Sequence, residues 1–158
     1  MPFITQRKVR FQHCDPAGIV FYPRYYEMLN AVVEDYFDQV IEHDFNRLHV
    51  ETGTGVPTVH LETRFHAPSR LGETLTFELA VRAVGRTSLT LHTRACCDTE
   101  LRLTCDSTLV YIDLKSGRPL PWPDAMRRCF VIENSIVENS DVKNPVVENS
   151  DVKNLQGK

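Results

Sequence analysis

Between Met28 and Ile41 apolar residues recur every three or four positions, and from Val59 to Tyr111 they recur at every second one. That switch of period constrains the fold more than any other feature. Met28, Leu29, Val32, Val33, Tyr36, Phe37, Val40 and Ile41 fall on one side of a helical projection. Glu27, Glu34, Asp38 and Glu42 fall on the other, so the pattern predicts an amphipathic helix of about five turns. Pro23 suits its first helical position, where a missing N–H is no loss, which puts Tyr22 near the N-cap. Four alternating segments follow: Val59 to Phe65, Leu75 to Ala83, Leu89 to Thr93, and Leu101 to Tyr111. Turn signals separate them at Ala67-Pro68-Ser69…Gly72, Gly85-Arg86 and Cys97 to Glu100. Upstream, Phe3 to Gln12 alternates as well and supplies a fifth strand.

One long apolar-faced helix and five strands can cover each other's apolar faces in few ways. The layout is α+β, a curved antiparallel sheet of five strands wrapped around one long central helix. Such a sheet leaves an edge open, and pairing that edge with a second copy is the natural remedy. A homodimer or homotetramer is therefore expected.

The chain has 158 residues, 42% hydrophobic and 25% charged, enough for one domain with a sizeable core. A net charge of −3 with no clustered basic face argues against nucleic acid. No run reaches transmembrane length and MPFITQRKVRF lacks a signal-peptide core, so a cytoplasmic location without membrane contact is expected. Five cysteines (14, 96, 97, 105 and 129) show no CxxC spacing, and six histidines are scattered. No metal site is read from them. Residues 1–130 form the expected domain. From 131 to 158 the chain repeats VENSDVKN at a period of ten, is dense in Asn, Glu, Ser and Lys, and is expected to be a disordered tail.

The stretch HCDPAGIVFYPRYYE leads into the helix. Asp15-Pro16-Ala17-Gly18 alone is good type I turn chemistry and nothing more. With its flanks, however, HCDPAGIVFYPRYYEMLNA resembles the signature of the 4-hydroxybenzoyl-CoA thioesterase family, a branch of the hotdog-fold acyl-CoA thioesterases. Supporting matches follow in order: TGVPTV, APSRLGETL, VGRTSL and GRPLPWP, so the resemblance spans about residues 3–128.

The resemblance implies the hotdog fold and hydrolysis of an acyl-CoA thioester, aromatic of the hydroxybenzoyl type or short-chain, with no cofactor beyond the coenzyme A of the substrate. It implies that Asp15 acts as nucleophile or as general base, that the backbone N–H of Tyr22 polarises the carbonyl, and that Gly18 shapes the turn that aims Asp15. A helix N-terminus, with bare N–H groups and a positive dipole end, is physically suited to a developing oxyanion. Arg86 and Ser88, in the hairpin where the family presents basic residues to the nucleotide, are the implied substrate-binding residues. Only Arg86 is basic there, which leaves the phosphates open to Arg82, Arg94 or a neighbouring subunit. Asn30 faces either an acyl pocket or a loop. Two rivals stand beside this reading: a non-catalytic acyl-CoA sensor using the same pocket, and a hotdog hydratase or dehydratase, for which His13 would have to pair with a carboxylate.

Overall fold

The helical periodicity is realised as α1, Tyr22–Gln39, an 18-residue helix whose buried side is Tyr25, Met28, Leu29, Val32, Tyr36 and Phe37. The computed structural model describes residues 1–132. Helix α1 starts one residue earlier than Pro23 suggests, with Phe21 as N-cap and Tyr22 as the first helical residue. Every N–H in a first turn lacks an intrahelical acceptor, so proline is as harmless at the second position as at the first. The helix stops at Gln39, and Glu42 turns the chain away with a positive φ of 57°.

Strands β1 (Phe3–Lys8), β3 (Thr58–Phe65), β4 (Thr74–Val84), β5 (Ser88–Cys97) and β6 (Glu100–Val110) form one antiparallel sheet in the order β1-β4-β5-β6-β3. Two short strands, β2 (Thr54–Gly55) and β7 (Ile112–Asp113), pair beside it, and a single helical turn, α2 (Asp124–Arg127), follows. The first strand is shorter than its alternation implies. Beyond Lys8, Val9 donates its N–H to Glu73 and the chain tightens into a 3₁₀ turn at Phe11–His13.

Alternation along the central strands puts Leu75, Phe77, Leu79 and Val81 of β4, Leu89, Leu91 and Ala95 of β5, and Leu103 and Leu109 of β6 on the face that meets α1. These side chains and the helix stripe make one contiguous core. An Arg7–Asp35 ion pair ties β1 to the helix. At the far end Trp122 is buried, stacks on Tyr111 at 5.0 Å and meets Phe130 edge-on, closing the core as a plug. This is the hotdog arrangement, with one long helix against a five-stranded sheet.

Strand β3 is the outer strand on one side, and Val59, Leu61 and Phe65 along it are 63%, 45% and 49% exposed. An outer strand with that much exposed apolar surface is the kind that pairing with another chain covers. The repetitive tail lies, but for its first two residues, outside the described residues, and Ile132 still bridges to Val81. No helix among the described residues is long and apolar enough to cross a membrane.

Candidate active site

The chain reaches the mouth of α1 through a tight reversal. Cys14 bridges to Val20, Asp15 donates its N–H to the carbonyl of Ile19, and Gly18 closes the turn onto the carbonyl of Asp15 at 2.9 Å. Gly18 sits at φ +76°, which glycine alone adopts without strain, and a Cβ there would meet no other atom within 4 Å. One oxygen of Asp15 accepts the N–H of Ala17 at 2.8 Å, an Asx turn that fixes the carboxylate. The other oxygen accepts no hydrogen bond from the described chain. Two residues past Val20 the helix begins at Tyr22, whose N–H has no intrahelical acceptor. The N-cap Phe21 donates its own N–H to the carbonyl of His13. Asp15 and Gly18 lie in this turn, and Tyr22 follows its returning limb as the first residue of α1.

His13 makes no pair with Asp15. Its Nδ1 accepts the N–H of Arg10 at 2.8 Å, and burial lowers its pKa below the usual histidine value, so the ring is seated as a neutral acceptor. Glu27 is near enough for its charge to act on the ring, but among the described residues His13 makes no hydrogen bond or ion pair with a carboxylate, the pair a hydratase would need. Among the described residues no three His, Cys, Asp or Glu side chains gather as a metal site.

The turn leans on the loop between β3 and β4. Ile19 bridges to Arg70, and Val20 donates its N–H to the carbonyl of Ser69. Ser69 is fully buried and its Oγ accepts the hydroxyl of Tyr25 at 2.9 Å. The loop is pinned in turn by Arg102, 6% exposed, which donates to the carbonyl of Pro68, to both oxygens of Glu73 and to Glu100. The Arg102 hydrogen bonds, and after them the N–H of Arg70, hold the Glu73 carboxyl below the usual carboxylate range. The sequence gives no sign that Tyr25 meets Ser69 or that Glu73 meets Arg102, because each works through a partner far along the chain.

A cavity of about 220 Å³ opens between α1 and the β3 side of the sheet. Tyr26, Asn30 and Val33 line it from the helix, Leu61 from β3, and Thr93 and Ser107 from the floor. No charged side chain lines it. Asn30 is therefore placed on a cavity, with its amide also donating to Glu34.

Arg86 and Ser88 lie elsewhere. They flank the tip of the β4–β5 hairpin, where Gly85 donates to the carbonyl of Ser88 and a Cβ on Gly85 would run into Ser88 Oγ. Strand β4 is 11 residues long, so the tip lies about 35 Å along the sheet from the loop that supports Asp15. Within one chain the structure does not bring them together. At the tip it adds a second cation that the sequence reading missed: Arg127 donates to the carbonyl of Gly85 at 2.7 Å.

Residues 9–130 match the model of the thioesterase-like superfamily. Over 84 residues, 52% of this chain, the sequence is 32% identical to a 4-hydroxybenzoyl-CoA thioesterase of Pseudomonas sp. (strain CBS-3), and the match spans 60% of that protein's length. A mutant 4-hydroxybenzoyl-CoA thioesterase crystallised with 4-hydroxybenzoyl-CoA superimposes with a TM-score of 0.75 at 24% identity, over 82% of this chain and 99% of the other. A 1,4-dihydroxy-2-naphthoyl-CoA thioesterase from Synechocystis gives 0.73 at 20% identity, over 82% and 95%. At these identities the two structures speak for the shared fold.

Proposed function

This chain belongs to the thioesterase-like superfamily, and on that premise we propose that it hydrolyses an acyl-CoA thioester, with Asp15 and the N–H of Tyr22 at the reacting carbonyl. The observation that carries the proposal is the seat of Asp15: one oxygen held in the turn, the other accepting nothing from the described residues, with the turn's returning limb leading two residues past Val20 into the N-terminus of α1. As the thioester carbonyl is attacked, charge grows on its oxygen, and the Tyr22 N–H with the helix dipole stabilises it there. Acting as base, Asp15 takes a proton from water while the water oxygen bonds to the carbonyl carbon. The C–S bond then breaks and the departing thiolate recovers that proton. Acting as nucleophile, Asp15 itself bonds to the carbonyl carbon and the C–S bond breaks with departure of the CoA thiolate; water then adds to the resulting mixed anhydride, releasing the acid and the Asp15 carboxylate while its proton goes to the thiolate. Gly18 sets the turn in either case. Neither route calls for a metal or redox group.

The uncharged cavity beside Tyr26 and Asn30 suits an uncharged acyl group, aromatic of the hydroxybenzoyl type or short and aliphatic. The nucleotide end of coenzyme A is assigned to the Arg86 and Ser88 hairpin of a second chain, joined by Arg127. The exposed edge of β3 supports that assembly as a homodimer or a homotetramer. A cytoplasmic location fits the free cysteines.

The test is free-thiol release from benzoyl-, 4-hydroxybenzoyl- and short aliphatic acyl-CoA, wild type beside Asp15→Asn. Turnover that falls about a hundredfold or more in the variant supports the role of Asp15. A wild type that binds these thioesters and releases no thiol overturns the hydrolase and leaves an acyl-CoA sensor.

A further inference from the structure

We infer that Ser69 and Tyr25 together form a positioning device for Asp15, setting the angle between its turn and the mouth of α1. The inference rests on the thioesterase reading for its kinetic consequence and on hydrogen bonds alone for its geometry. A serine with no exposure in an apolar core is costly unless both its polar ends are satisfied. Both ends of Ser69 are satisfied, and by different limbs of the same site. Its carbonyl accepts the N–H of Val20, on the limb that returns from the Asp15 turn. Its hydroxyl accepts from Tyr25, three residues beyond Tyr22 on the first turn of the helix.

Among the described residues no other side chain is bonded to the helix while its own backbone holds the returning limb. Asp15 is tied to the returning limb by its own N–H to Ile19, and that limb leads into the helix that carries the Tyr22 N–H, so Ser69, bonded to Val20 and to Tyr25, sets the angle at which the turn meets the helix. Tyr25 is 4% exposed, and among the described residues its hydroxyl has no second acceptor. Deleting the Ser69 hydroxyl therefore leaves a buried donor unpaired, and the helix start must shift to find water or another acceptor. A misplacement of about 1 Å can cost about a hundredfold in rate, so a smaller shift gives a smaller loss. Coenzyme A binding, assigned to a distant hairpin, is untouched by such a shift.

The experiment compares Ser69→Ala, Tyr25→Phe and the double variant on 4-hydroxybenzoyl-CoA, or on whichever thioester of the panel turns over. Each single change is expected to lower kcat about tenfold with KM within about twofold. The double variant is expected to be no worse than the weaker single, because both remove one bond. Unchanged kcat with a lowered Tm would make the pair merely structural and overturn the inference. So would a double variant whose losses multiply to about a hundredfold. The amide proton of Ala17, which donates to Asp15, gives a readout independent of turnover. In Ser69→Ala its resonance is expected to move toward its position in Asp15→Ala, while amides of β5 stay in place. An unmoved Ala17 resonance overturns the inference. If the wild type hydrolyses nothing, the thioesterase reading falls and this resonance alone decides whether Ser69 seats Asp15.

Discussion

Replacing Glu73 by alanine strips the buried guanidinium of Arg102 of two of its hydrogen bonds and its less exposed counter-charge. Removing one partner of a fully buried ion pair costs about 3–5 kcal/mol, because the other charge stays behind without compensation. Here the cost is smaller. The Glu73 side chain is 28% exposed, and Arg102 keeps the carbonyl of Pro68 and the outer carboxylate of Glu100. A loss of about 2 kcal/mol is expected for Glu73→Ala, roughly 6 °C in Tm for a domain of this size. Glu73→Gln keeps one oxygen to accept from both Arg102 and the N–H of Arg70 and loses the other to a donor NH2, and should lose about half as much.

Arg102→Met is expected to be milder than Glu73→Ala. It removes the buried charge outright, along with a buried Nε that has no partner, and leaves Glu73 beside solvent. The assay is the urea midpoint of each variant between pH 7 and pH 3. Because folding lowers the pKa of Glu73, its contribution is full above the ordinary value of 4.5 and is lost as pH falls from there through the folded-state value. The gap between wild type and Glu73→Gln should hold from pH 7 to about 5 and close below. A Glu73→Ala variant within about 0.5 kcal/mol of wild type, or a gap that ignores pH, refutes the pinning role of Arg102.

Two further outcomes are expected. Gly18→Ala meets no steric obstacle, so its cost is backbone strain alone, about 1–2 kcal/mol by thermal unfolding, with thioester turnover falling because the Asp15 turn is displaced; unchanged stability would show that the turn can do without positive φ. Val59→Lys on the exposed edge of β3 should shift the protein toward monomer in sedimentation at micromolar concentration, whereas an unaltered assembly would move the interface elsewhere.

The helix and the four long strands were legible because each buries one face, and burial imprints a period on the sequence. Val59, Leu75, Leu89 and Leu101 each fall within one or two residues of the start of an observed strand. The ends were less so. Phe3 to Gln12 alternates throughout, yet the ladder to β4 stops at Lys8, since pairing depends on where the partner strand begins. Asp15, Gly18 and Tyr22 fall in one contiguous motif, the first two in a turn whose returning limb opens α1 at the third. The pairs of Tyr25 with Ser69 and Glu73 with Arg102 do not, because the bonds linking them cross 44 and 29 positions of sequence. Arg86 was legible as a hairpin residue, but its distance from Asp15 follows from the length of β4 and only emerges in three dimensions.

That length has a consequence for how the protein would be regulated by its own abundance. Under the proposed assembly, in which the hairpin of one chain serves the carboxylate of another, a competent site would exist only in the associated form, and the number of sites would follow the law of mass action. Diluting the protein through its association constant would lower activity faster than it lowers protein. Specific activity would then report how much of the chain is present, as well as how well each copy works.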